Sequence, residues 1–175
     1  MSAQNRGLTV VVPVAEGRED ALRDHLVRLP TGPRSPMIRV HGTHFARWVV
    51  FRFADKDGRP ARSVPPHLLF SSEFDGGLED YVASLCEGLG QEAHAIWSHC
   101  AGYPGEQDGA LARYLLDHHI RPGYSVVAYP GVRVEDVRAS LALRDRLNEF
   151  VMRARELDPP ALQRAWLQRF RSGRR

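Results

Sequence analysis

Residues 43–54 read Thr-His-Phe-Ala-Arg-Trp-Val-Val-Phe-Arg-Phe-Ala, and this stretch decides the fold. It is rich in the aromatic and β-branched residues that are typical of strands. Because side chains alternate along a strand, the stretch has two apolar faces. One face carries Phe45, Val49, Phe51 and Phe53. The other carries Ala46, Trp48 and Val50. A half-covered antiparallel sheet would leave one face polar, so the pattern predicts helices on one side and a second subunit's sheet on the other.

The segments around this strand predict the order βαββαβ, which is the ferredoxin-like unit of an α+β fold. The predicted elements are a strand at 8–14, a helix at 16–29, strands at 43–54 and 67–74, a helix at 78–89 and a strand at 94–100. The last of these segments can also be read as a continuation of the preceding helix. Gly88 and Gly90 interrupt that helix, and we therefore interpret 94–100 as the fourth strand.

The rest of the chain predicts a mainly helical extension. Its elements are a helix near 107–119, a short strand at 124–129, a helix at about 133–156 and a last helix that begins after Asp158. Asp158 is a good N-cap residue, and the two prolines that follow it suit a first helical turn. We therefore expect a ferredoxin-like core over residues 1–105 and a C-terminal extension over residues 106–175, packed on the same domain.

Composition argues against several classes of function. The 175 residues have a net charge of +3, and their arginines are scattered among acids, as on a solvated surface. Only the C-terminal tail is locally basic, so nucleic-acid binding is not expected. No apolar run is long enough for a membrane helix, and residues 1–7 lack the apolar segment of a signal peptide. Cys86 and Cys100 match neither a disulfide framework nor a zinc spacing, which predicts a cytoplasmic protein with reduced thiols.

Polar residues gather at three predicted strand ends that this topology brings to one sheet edge. They are His41, Thr43, His44 and Arg47; Ser71, Ser72, Glu73 and Asp75; and Ser98, His99, Cys100 and Tyr103. Imidazole and carboxylate groups at one place suit proton transfer. We therefore expect His44, His99 and Asp75 to be close together, with Asp75 orienting an imidazole, as catalytic candidates. The ligand-binding candidates are Arg47, Cys100, Tyr103 and Trp48. No metal site is predicted.

Structural roles explain the same residues equally well. The histidines can be hydrogen-bonded strand-end residues, Arg47 and Asp75 can form an ion pair that closes the sheet edge, and Cys100 can be a small buried hydrophobe. Strict alternation also puts His44 and Arg47 on opposite faces, so they line one cleft only if a bulge intervenes.

Several segments resemble the dimeric α+β barrel superfamily, in which two ferredoxin-like units join their sheets face to face. The opening Val10-Val-Val-Pro-Val followed by Gly17-Arg-Glu-Asp-Ala-Leu-Arg resembles the start of many such proteins. Three later segments resemble an uncharacterised bacterial group within the superfamily: Gly42-Thr-His-Phe-Ala-Arg-Trp-Val-Val, Leu68-Leu-Phe-Ser-Ser-Glu-Phe-Asp-Gly and Trp97-Ser-His-Cys-Ala-Gly-Tyr-Pro. The resemblance covers roughly residues 8–105, and it implies a homodimer.

The resemblance also implies a class of function. The superfamily includes cofactor-free monooxygenases, proteins like muconolactone isomerase, and haem enzymes such as dye-decolourising peroxidases and chlorite dismutases. It therefore implies a small-molecule-binding protein or an enzyme, with haem-dependent or cofactor-free oxidoreductase chemistry as one form. If haem binds, His44 and His99 are the implied axial ligands and Arg47 the propionate partner. The alternative is a non-enzymatic dimeric structural or accessory module.

Overall fold

The computed structural model describes residues 5–61 and 63–170. The end of the predicted basic tail, residues 171–175, lies outside this range, as do the first four residues. The chain divides into two compact units, of which one ends at Val134 and the other begins at Glu135. The first unit combines a sheet with helices, which confirms the predicted α+β class.

Three strands form the sheet of the first unit: β1 (Asn5–Pro13), β2 (Thr43–Phe51) and β3 (His67–Asp75). Their order is β1-β3-β2, and the central strand β3 is antiparallel to both neighbours. Consequently β1 and β2 run parallel to each other, and the connection between them contains helix α1 (Glu19–Arg28). This is a split β-α-β arrangement, and it confirms the three strands that the sequence predicted in these places.

The core lies on one face of the sheet. Alternate residues of β1 and β3, such as Val10 and Phe70, are fully buried. They pack in one cluster with apolar residues of α1, α2 (Leu78–Leu89), α3 (Gln91–Trp97) and α4 (Ala110–Asp117). The other face is open: Phe45 is 50% exposed and Val49 is 41% exposed.

The predicted fourth strand at 94–100 is wrong, because most of that segment forms α3. Gly90 adopts φ +55°, ψ −128°, which ends α2 and turns the chain without preventing a new helix. Ala93, Ile96 and Trp97 are buried and follow helical spacing. Strand pairing in this part of the chain is reduced to one bridge between Val14 and Cys100. The described residues thus hold three strands, and a complete βαββαβ sheet is not established.

The short strand predicted at 124–129 is also wrong, since these residues form no strand. Tyr124, Val126 and Tyr129 are 86%, 72% and 76% exposed, so their β propensity finds no partner strand in the described chain. Helix α4, which the sequence analysis assigned to the extension, packs against α2 within the first unit.

The second unit is a pair of helices. Helix α5 (Val134–Ala154) begins at the boundary between the units, and α6 (Pro159–Phe170) follows after a short turn. The rings of Phe150, Trp166 and Phe170 pack together with centroids 4.5–5.5 Å apart. Asp158 accepts the Ala161 N–H at 2.7 Å, which is the N-cap that the sequence predicted. None of the described helices is long and apolar enough to cross a membrane.

Candidate functional site

A β-bulge at the start of β2 positions the first site residue. Thr43 lies opposite Phe74, and Phe45 lies opposite Glu73, so His44 is an extra residue without a partner in the ladder. A bulge interrupts the regular alternation of side chains. Strict alternation across this segment would place His44 and Arg47 on opposite faces. The bulge removes that geometric objection.

His44 and Asp75 form a hydrogen-bonded pair at this end of the sheet. The distance from His44 Nε2 to Asp75 Oδ1 is 2.8 Å. Asp75 Oδ2 accepts the backbone N–H of Val134 at 2.9 Å, so both carboxylate oxygens have a donor. The side chain of Asp75 is only 12% exposed and that of His44 is 25% exposed. The carboxylate is therefore fixed, and it fixes the ring in turn.

The turn before β2 supports this pair. Gly42 has φ +73°, a conformation that favours glycine, and its carbonyl accepts the Asp75 N–H at 2.9 Å. This bond joins the start of β2 to the end of β3, so the two strands hold the imidazole and the carboxylate side by side. The other ring nitrogen, Nδ1 of His44, has no hydrogen-bond partner among the residues that the structure describes.

Arg47 supplies positive charge on the open face of the sheet, three residues after His44. Its guanidinium carbon lies 5.8 Å from the ring centroid of Phe45, the residue next to His44, so the charge leans toward that end of the strand. Glu73 lies opposite Phe45, but its carboxylate leans over Gly7 of β1, where a Cβ atom would meet Glu73 Oε1 at 3.2 Å. Arg47 thus offers a guanidinium on this face to an anionic ligand.

His99 does not belong to this site, which corrects the expectation that it lies near His44 and Asp75. Its carbonyl accepts the Ala15 N–H, just beyond the C-terminal end of β1. Asp75 pairs with Asn5 at the opposite end of β1, roughly 25 Å away at the usual rise per residue. The misread fourth strand caused this error. The structure places the ring of His99 6.4 Å from that of His25, on the helical side of the sheet.

Burial and positive charge lower the pKa of His99. Desolvation is the largest cause, and the charges of Arg18 and His25 add to it. Its Nδ1 atom is buried without a hydrogen-bond partner in the described chain. Protonation of this ring would therefore bury an unpaired charge.

The remaining ligand-binding candidates lie in three separate places. Cys100 is 4% exposed in the core, where burial raises the pKa of its thiol to about 12. Tyr103 forms a 2.6 Å hydrogen bond with Nδ1 of His94. Trp48 is half-buried on the covered face of the sheet, with its ring centroid 5.0 Å from that of Phe70 and 6.3 Å from that of Trp97. In the described part of the chain, none of these three residues forms a hydrogen bond or a ring contact with His44 or Asp75.

Two polar contacts were missed by the sequence analysis. His25 Nε2 lies 2.5 Å from Glu92 Oε1 and joins α1 to α3. Tyr81 lies between two hydroxyl groups, with its OH 2.5 Å from Ser72 Oγ and 3.1 Å from Thr43 Oγ1. The residues of each contact are far apart in sequence, and only α3 as a helix brings Glu92 toward α1. Had residues 91–97 been predicted as a helix, the contact between His25 and Glu92 could have been anticipated.

The described residues bear on whether a metal ion or haem binds. They contain no group of three or more His, Cys, Asp or Glu side chains arranged to hold a metal ion. Neither His44 nor His99 lines any of three cavities in the described part of the chain.

The chain matches no family model, no curated protein and no solved structure.

Proposed function

We propose that this protein binds an anionic small molecule at the open end of the sheet and that His44 exchanges a proton with it. The observation that carries the proposal is the His44–Asp75 pair, in which one ring nitrogen is held by a fixed carboxylate and the other has no described partner. A neutral imidazole that donates Nε2–H to Asp75 has its lone pair on Nδ1 and can act as a base.

The surroundings of the pair suit a proton-transfer enzyme better than a nucleophilic one. A general base must lie within hydrogen-bond reach of the proton that it removes. Ser72, the buried serine nearest in register to this end of β3, is bonded to Tyr81 and not to the imidazole. Arg47 would hold the anionic group of the ligand on the open face. Cofactor-free oxidoreductase or isomerase chemistry, begun by proton removal, fits this arrangement, and it agrees with the resemblance to dimeric α+β barrel proteins.

A paired histidine substitution tests the proposal. Wild-type protein is screened with carboxylate- and phenolate-bearing small molecules, with binding measured by calorimetry and turnover by oxygen uptake and product analysis. We expect His44→Gln to reduce turnover at least about 100-fold, the usual contribution of general acid–base catalysis, and Arg47→Gln to weaken binding. Asp75→Asn should reduce turnover too, since it removes the group that orients the ring.

His67→Gln is the matched control, because His67 is also a strand histidine but lies at the far end of β3. It should retain binding and turnover. Unchanged turnover in a folded His44→Gln protein would contradict the proposal, and so would equal losses in the His44 and His67 variants.

A second candidate function is the non-enzymatic dimeric module, and the open apolar face of the sheet favours it. Phe45 and Val49 of β2 are 50% and 41% exposed, and Phe53, two residues after the end of β2, is 48% exposed. We infer that a second copy of the same face covers them, in the manner of a dimeric α+β barrel, because Arg47 and Glu73 on this face give it both signs of charge for self-complementary pairing. The molar mass in solution tests this inference.

A further inference from the structure

A second cleft lies in the first unit, away from His44 and Asp75. It has a volume of about 630 Å³ and lies between the segment before β2 and the junction of α2 with α3. Arg39 and His41 line one wall, and Ser84, Glu87 and Gln91 line the other. This volume is within the range of small-molecule sites. Neither His44, Asp75 nor Arg47 lines the cleft, so it is separate from the site proposed above.

Glycines fix the shape of this cleft. A Cβ atom on Gly88 would lie 3.0 Å from the Arg39 carbonyl oxygen and 3.0 Å from Val40 Cγ2, so the two segments are in direct backbone contact. Gly90 then turns the chain between the two helices, which places Gln91 on the cleft wall. Substitution at Gly88 would require one of the packed segments to shift, and the cleft is therefore a built feature of the fold.

The Arg39 guanidinium is held in place at one nitrogen. Its Nε donates to the Gly88 carbonyl oxygen at 2.7 Å, an acceptor that the end of α2 leaves free. Its terminal nitrogens form no hydrogen bond or ion pair with the described residues. A guanidinium fixed at Nε presents its two terminal nitrogens to a carboxylate in the geometry of a bidentate pair.

An acidic side chain lines the same cleft without pairing with this arginine. Glu87 forms no ion pair with any described residue. Glu92, the other acid at the cleft, is engaged with His25 at 2.5 Å. Arg39 and Glu87 thus leave one cation and one anion unpaired in one cavity. A ligand that carries both charges would pair with each of them.

We propose that this cleft binds small zwitterions of the α-amino-acid type, with the carboxylate on Arg39 and the ammonium group on Glu87. Ser84 and Gln91 add hydroxyl and amide groups for a polar substituent. Arg39 and Glu87 are exposed, so solvent and salt weaken both contacts. We therefore expect weak binding, with a dissociation constant in the millimolar range or above, because each exposed charge pair contributes little.

Calorimetric titration of the full chain with each of the common L-amino acids tests this proposal. At least one amino acid should bind the wild-type protein. Arg39→Gln and Glu87→Gln should each weaken that binding at least about tenfold. Two matched controls should retain it: Arg34→Gln, an exposed arginine in the 3₁₀ turn Gly32–Arg34 before β2, and Glu79→Gln, an exposed acid at the other end of α2.

Half-ligands separate a zwitterion site from a simple anion site. The carboxylic acid without the amino group, and the amine without the carboxylate, should each bind at least about tenfold more weakly than the amino acid. Equal binding of the acid alone, or no effect of Glu87→Gln, would overturn the assignment of ligand class. Absence of binding by every amino acid to the folded wild-type protein would overturn the site. His44→Gln should leave this binding unchanged, so the result does not depend on the function proposed above.

Discussion

Trp48 lies on the covered face of β2, where its ring packs against Phe70 and Trp97. Deleting a large aromatic side chain from such a place removes buried area and leaves a cavity. We expect Trp48→Ala to lower the free energy of unfolding by about 3–5 kcal/mol, measured by denaturant titration. A loss below about 1 kcal/mol would contradict the packing described here.

Trp48→Phe is the matched control for that measurement. The indole Nε1–H of Trp48 is buried without a partner in the described chain, so phenylalanine keeps most of the ring contacts and removes an unsatisfied donor. This variant should cost less than about 1.5 kcal/mol, the usual limit for swaps that conserve most of the volume. A cost as large as that of Trp48→Ala would mean that the indole nitrogen has a role of its own.

Residue positions could be predicted from the sequence only where the strand ends were right. His44 and Asp75 are far apart in the chain, yet pairing of β2 with β3 brings them to 2.8 Å, as the topology argument required. Their catalytic roles stay predictions. The bulge could not be predicted, because an extra residue leaves no mark on a pattern that is apolar on both faces. The predicted position of His99 was wrong because it depended on a fourth strand at 94–100, where the structure has a helix.

The open face of the sheet is the surface that a second copy of the chain would cover. Val49 is 41% exposed at its centre and lies opposite Leu69 of β3. If a second copy covers this face, light scattering at micromolar concentration should show a dimer, and Val49→Glu should convert it to a monomer because it buries a charge in an apolar interface. Glu79→Gln, far from the sheet face on α2, is the control and should leave the molar mass unchanged.

A monomeric wild-type protein would contradict this dimer. So would a Val49→Glu protein that remains dimeric while folded, because the contact between copies would then lie elsewhere. The His44–Asp75 pair is complete within one chain, so proton transfer by His44 does not require the dimer, but a dimer that engages Arg47 in charge pairing would remove the proposed role of Arg47 in ligand binding.

Helices and strands differed in how clearly the sequence marked them. The strands predicted at 43–54 and 67–74 have many branched and aromatic residues, and both formed, although the first ends at Phe51. The segment 94–100 contains His, Ala, Ile, Trp and Ser, which fit either state over so short a length. Its helical spacing becomes visible only when Ala93 is included. We treated Gly90 as a helix breaker, but here it separates two helices.

At the scale of the whole molecule, His99 makes stability depend on pH. Its folded-state pKa lies below the ordinary value of 6.5, so between these two values the unfolded chain binds a proton that the folded chain does not. The contribution of neutral His99 to the free energy of unfolding is therefore fully present above about pH 6.5. It decreases as the pH falls from there toward the folded-state pKa. Denaturant titrations between about pH 5 and pH 7.5 should show this slope in the wild-type protein.

His99→Gln should flatten that slope, because glutamine does not titrate. The comparison is between slopes rather than absolute stabilities, so it remains valid if the variant is less stable at every pH. A slope in the His99→Gln protein equal to that of the wild type would show that other groups account for the dependence.

The unpaired residue at the start of β2 has a consequence for how this site can arise. Thr43 already faces Phe74 and Phe45 already faces Glu73, so a chain without residue 44 would keep both of these pairings and every later one. Gain or loss of a single codon can therefore add or remove the imidazole while the core residues stay in phase. The imidazole can therefore be gained or lost in evolution without any change in the pairing of the strands that carry it.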